Sequence, residues 1–151
     1  MKLKISETKE QGLELYIARN ENNDRVYVMR ERYVFFKKEL QLYDAHKKYI
    51  AEVLAPFGKK KFIFKEKDKV IDEMNLVSKT IKHQYQLAQS KWTLNVDITF
   101  TEYTICDENN EIIAEVKFNL PDTAWLIDIK KTKNVTLTML LLLSVVSISR
   151  G

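Results

Sequence analysis

From Val135 to Ser149 the chain runs Val-Thr-Leu-Thr-Met-Leu-Leu-Leu-Leu-Ser-Val-Val-Ser-Ile-Ser, fifteen residues without a charged side chain. At helical spacing the consecutive leucines Leu140 to Leu143 point in four directions, so no face of this helix can be left in water. The rest of the chain must therefore enclose it. The hydroxyls make no polar face either: Thr136 and Ser147 fall roughly opposite Thr138 and Ser149 in projection, and such groups bond back to their own helix carbonyls. A membrane span needs about 20 apolar residues to cross roughly 30 Å, whereas fifteen residues reach about 22 Å. Basic flanks at Lys130, Lys131, Lys133 and Arg150 could snorkel and narrow that gap, which keeps a C-terminal tail anchor as the alternative. A strand is the other rival, but fifteen residues without a turn signal exceed normal strand length and the leucine block favours helix.

Upstream, period-two alternation dominates. Leu13, Leu15 and Ile17 alternate with Glu14, Tyr16 and Ala18; Phe62 and Phe64 are flanked by lysines; Ile81, His83, Tyr85 and Leu87 alternate with polar residues. The cleanest run, Trp92 to Phe100, is followed by a phase flip to Tyr103 and Ile105 that a bulge or tight turn must absorb. Further strands are expected at Lys2–Ile5, Val26–Arg30, Glu39–Tyr43, Tyr49–Val53, Lys69–Asp72, Ile112–Phe118 and Trp125–Ile129, giving about a dozen half-buried strands. An internal repeat supports them. Leu42-Tyr43-Asp44, followed by Tyr49-Ile50-Ala51-Glu52-Val53, aligns without a gap on Ile105-Cys106-Asp107, followed by Ile112-Ile113-Ala114-Glu115-Val116. Each copy reads as a hairpin, and Asn20 to Asp24 is a looser third knuckle. Asparagine tolerates the left-handed backbone, which helps a chain with only three glycines make turns.

Twelve antiparallel strands about 4.8 Å apart and tilted about 40° close into a barrel roughly 24 Å across, wide enough for a helix about 10 to 12 Å thick. The expected fold is mainly β: a closed antiparallel barrel of about twelve strands over residues 1–151 as one domain, with residues 134–150 as its central buried helix. At 151 residues such a domain can bury a proper core without staples, and a lone Cys106 in an apolar run reads as a small buried hydrophobe.

The short strands, the repeated knuckle followed by Ile-Ala-Glu-Val, the Ala124-Trp-Leu-Ile-Asp128-Ile segment and the leucine-rich terminal helix together resemble the LURP-one-related proteins. These belong to the tubby-like and phospholipid-scramblase-like superfamily. That resemblance implies a twelve-stranded barrel threaded by its C-terminal helix. It also points to membrane lipid, because tubby domains bind phosphoinositides through basic residues and scramblase relatives act at membranes. None of their functional positions matches here residue by residue, and the proline-rich leader and cysteine-rich cluster of scramblases are absent.

Chemistry is sparse. Asp107, Asn109 and Glu111 have the opening spacing of a calcium loop, as do Asn20, Asn22 and Asp24, but neither has the glycine at the sixth position. His46, His83 and Cys106 form no metal or nucleophile spacing, and His83 reads as a satisfied core histidine. Glu52 and Glu115 occupy equivalent repeat positions and read as outward strand residues. No catalytic set, cofactor or metal site is expected. A net charge of +4 is too mild for a dedicated nucleic-acid binder. The remaining resource is lysine. Lys59, Lys60 and Lys61 follow Phe57 at a Pro-Phe-Gly turn, and Lys130, Lys131 and Lys133 cluster where the last strand meets the helix. Lysines beside an exposed aromatic can hold a protein on anionic lipid, each contributing about 1 kcal/mol. The expected function is thus a non-catalytic binding module for anionic membrane lipid or a protein partner. A monomer is the default, and with no apolar run of signal-peptide length at the N-terminus the expected place is the cytoplasm, peripheral at membranes.

Overall fold

The computed structural model describes residues 1–10, 13–35, 37–56, 60–78, 83–119 and 121–150. Twelve strands precede one helix. They are β1 (Lys2–Glu10), β2 (Leu13–Arg19), β3 (Arg25–Val34), β4 (Lys37–Asp44), β5 (Tyr49–Pro56), β6 (Lys61–Glu66), β7 (Lys69–Ser78), β8 (His83–Leu87), β9 (Thr93–Val96), β10 (Glu102–Cys106), β11 (Ile112–Asn119) and β12 (Ala124–Ile129), followed by α1 (Val135–Arg150). Every strand pairs antiparallel with its sequence neighbours, and β1 pairs with β12, with Leu3 opposite Ile127, so the sheet closes. Closure leaves no unpaired edge for another chain to extend.

The helix lies inside. From Leu137 to Ile148 no residue is more than 4% exposed, although two of the twelve are serines and one a threonine. Their hydroxyls and Ser149 explain how this is tolerated: Thr138 Oγ1 donates to the Asn134 carbonyl, Ser144 Oγ to Leu140 and Ser149 Oγ to Val145. These three hydroxyls are thus satisfied within their own helix. Asn134 caps the start, its Oδ1 accepting the Leu137 amide at 3.1 Å. The wall supplies alternate inward residues, among them Leu40, Leu42, Ala51, Val53, Phe62, Phe64, Leu94, Val96, Ala114 and Val116, all buried. Alanines at 51 and 114 leave room where long side chains would collide with the helix. At the other terminus of α1, Trp125 Nε1 donates to Ser149 Oγ at 2.7 Å, tying wall to helix.

The repeat is structural. In the β4–β5 and β10–β11 hairpins, Asp44 Oδ1 accepts the amides of His46 and Lys48, and Asp107 Oδ1 accepts those of Asn109 and Glu111. Asn20 does the same for Asn22 and Asp24 between β2 and β3. The fourth residue of each knuckle, Asn23, Lys47 or Asn110, takes a left-handed φ between 63° and 66°. One departure from the sequence expectation is instructive. The alternating run from Trp92 does not continue to Phe100 but stops at Val96, and Asp97 opens a further knuckle, with Oδ1 accepting the Thr101 and Glu102 amides and Phe100 at φ 59°. The phase flip is absorbed there, and Ile98, an inward residue by period, stands in solvent. Ile81 lies outside the described residues, as do Phe57, Gly58 and Lys59.

Candidate functional site

Alternating direction sorts the connections between two ends. The chain start, the even-to-odd turns and the beginning of α1 lie at one end, here the near end; the odd-to-even turns and the end of α1 lie at the far end. The two lysine clusters of the sequence are therefore not one surface. Lys60 and Lys61 lie where β6 begins at the far end, and Lys130, Lys131 and Lys133 in the near-end link into α1.

The near-end lysines are occupied. Lys130 Nζ donates to Asp128 at 2.7 Å, Lys131 pairs with Glu111, and Lys133 pairs with Glu108 at 2.5 Å and with the buried Asp107 at 3.4 Å. The Lys133 hydrogen bond holds the Glu108 carboxyl below its ordinary range, and Lys130 does the same for Asp128; the partners are raised in turn. These ion pairs fasten the β12–α1 link to the β10–β11 hairpin.

The far end differs. Lys61 pairs with Glu73 at 2.5 Å, and Lys38 with Glu31 at 3.3 Å. Lys37 and Lys60 are exposed, and no ion pair engages either among the described residues. Around them stand Phe35 at 88%, Tyr33 at 67%, Ile98 at 66% and Val77 at 53% exposure, all at far-end termini or turns. Phe35 also holds φ at 55°, a conformation that glycine or asparagine adopts at less cost. Lys38 Nζ sits 5.8 Å from the Tyr33 ring centroid. This hairpin repeats the order read at Phe57, since Tyr33-Val34-Phe35-Phe36-Lys37-Lys38 also places aromatics before lysines. That local order was the available signal for the β3–β4 tip.

Glu52 does have a carboxyl neighbour, though not Glu115. Across the β4–β5 wall, burial pushes Glu52 upward and a hydrogen bond to Glu39 adds to this, while Tyr49 Oη donates to Glu52 at 2.8 Å. Burial opposes ionisation of Glu39 too, but the hydrogen bond from Glu52 and the Arg32 guanidinium, 3.0 Å away, hold it below its ordinary value. Burial and the Glu39 carboxyl thus favour protonated Glu52, while Arg32 favours ionised Glu39. His83 is half-buried, with its ring 4.9 Å from Phe100, and His46 is exposed on its knuckle. Among the described residues no group of three or more His, Cys, Asp and Glu could hold a metal ion.

No family model matches the sequence, and no curated protein matches it. Among solved structures, an X-ray structure of a protein from Arabidopsis thaliana is similar with a TM-score of 0.69 at 7% identity, covering 99% of this chain and 92% of that one. At so low an identity the likeness shows the fold.

Proposed function

We propose that this barrel is a non-catalytic peripheral module that docks its far end on anionic bilayers. The observation that carries the reading is the set of bare apolar side chains at that end, Phe35 foremost, beside Lys37 and Lys60. Exposed aromatics favour the headgroup region, and each nearby lysine adds about 1 kcal/mol on an anionic surface. The resemblance to LURP-one-related proteins, whose superfamily includes membrane-lipid binders, supports the same reading. The tail-anchor alternative is less favoured: among the described residues no helix is long and apolar enough to cross a membrane, and withdrawing α1 would bare the barrel lining.

Co-sedimentation with phosphatidylserine vesicles tests it. The parent should pellet at 0.1 M salt and release at 1 M, as the Debye length shrinks from about 10 Å to about 3 Å. Phe35→Ser, or glutamine at Lys59, Lys60 and Lys61 together, should weaken pelleting tenfold or more with the fold intact. Equal pelleting by parent and variants, or none by the parent, would overturn the lipid reading and favour a protein partner.

A further inference from the structure

The outer wall carries a row of side chains that neither end uses. Strands β2, β1, β12 and β11 are consecutive around the barrel. Their register places Arg19 opposite Lys4, Lys4 opposite Leu126, and Leu126 opposite Lys117. These residues face outward, because the flanking Leu3, Ile5, Trp125, Ile127 and Val116 point into the core. The row thus reads cation, cation, apolar, cation. Like charges directly opposite on a sheet are destabilising, and no ion pair relieves Arg19, Lys4 or Lys117 among the described residues. The nearest acids belong to other rows: Asp128 is engaged by Lys130 at 2.7 Å, Glu115 stands opposite Asp128, and Glu21 accepts the Lys2 amide at 3.4 Å. Leu126 remains 45% exposed between the cations.

The row lines a groove of about 460 Å³ whose walls also carry Lys2, Glu21, Glu115 and Asp128, four cations against three carboxylates, within the roughly 300 to 1,000 Å³ of small-molecule sites. Charge and shape together specify its occupant. We infer that the groove binds a small amphipathic oxyanion, a phosphate monoester with an apolar body, its head against Lys4, Arg19 and Lys117 and its body on Leu126. Such an anion cancels the like-charge repulsion across β1 and β2 and removes Leu126 from water at once. A bare inorganic anion satisfies only the first need and an alcohol only the second.

Titrating the isotopically labelled full-length protein with monomeric n-octyl phosphate, followed by amide shifts, tests the inference. Saturable shifts are expected at Lys4, Leu126 and Lys117, with inorganic phosphate and n-octanol each at least tenfold weaker. The double variant Lys4→Gln with Lys117→Gln, and separately Leu126→Ser, should weaken octyl phosphate at least tenfold while the remaining spectrum is unchanged, as these side chains are exposed. Phe35→Ser should leave this titration alone, which separates the groove from far-end docking. Vesicles of phosphatidic acid, used with Phe35→Ser as the background so that far-end docking is removed, identify the source: pelleting that depends on Lys4 and Lys117 assigns the anion to a lipid headgroup, and pelleting that does not, or none, assigns it to a dissolved molecule. Absence of saturable shifts with octyl phosphate, or equal binding by parent and double variant, overturns the site.

Discussion

The two ends of the barrel make the same chain reversals with opposite surfaces. At the near end three knuckles accept amides on Asn20, Asp44 and Asp107, and three successive lysines of the β12–α1 link are each matched to a carboxylate. Apolar residues are bare there too, but Val70, Met1, Ile112 and Val135 are all less exposed than Phe35, Tyr33 and Ile98, and none is aromatic. At the far end two aromatics and Ile98 stand in water, and no ion pair engages Lys37 or Lys60 among the described residues. The difference teaches that basic residues in sequence are poor guides to a basic surface. Of the seven lysine and phenylalanine positions singled out from sequence, Lys61, Lys130, Lys131 and Lys133 are held in ion pairs, while Lys60 is exposed with no ion pair among the described residues.

The helix joins the ends, so the largest effect comes from breaking it. Leu142→Asp places an unpaired charge at the barrel axis, costing several kcal/mol against a total of about 5 to 15. It should abolish the cooperative melt seen by circular dichroism, and an unchanged melt would contradict the enclosed helix. The ends should then separate by their knuckles. Asp107 is buried and serves two amides and Lys133, whereas Asp97 at the far end has solvent beside it. Asp107→Ala should cost about 1 to 3 kcal/mol and Asp97→Ala less, read as midpoint differences of about 2 to 4 °C per kcal/mol. Comparable losses would erase the contrast.

Acid provides a finer probe. Lys133 holds Glu108 low and Lys130 holds Asp128 low. Carboxylates with depressed folded values contribute stability above their unfolded value, near 4, and lose it as pH falls through the folded value. Glu52, raised by burial and by Glu39, has the opposite sign: its contribution is present at low pH and fades as pH rises through its folded value. Stability followed from pH 6 to pH 2 should therefore fall, and Lys133→Gln should flatten that fall. The smallest effect belongs to glutamine at Lys130, Lys131 and Lys133 together, a slight loss of stability because these lysines are solvent-screened, with vesicle binding unaltered. Loss of vesicle binding in that variant would move the docking surface to the near end.

Much of the fold was legible because it follows from periodicity: the four leucines demand enclosure, and alternation supplies the enclosing wall. The knuckles were legible where asparagine or a repeat marked them. Asp97 was not, because between Val96 and Thr99 it reads as one more outward strand residue, and only its amide contacts reveal a turn. The lysine pairings were hidden for a different reason: Lys133 meets partners 25 and 26 positions earlier, brought together by strand order that composition does not contain. The outer-wall cation row is likewise a property of register across four strands, invisible along any one of them.

In the proposed docking the far end, not the near end, meets the bilayer. The native thiol favours a direct measurement, since Cys106 is buried and burial pushes it up, away from labelling. An environment-sensitive fluorophore placed at Phe35→Cys and, in a second protein, at Lys131→Cys reports which end leaves water when phosphatidylserine vesicles are added. A blue shift at position 35, reversed by 1 M salt, with none at position 131 is the expected result. A shift at 131 alone, or none at either with vesicles in excess, would contradict it.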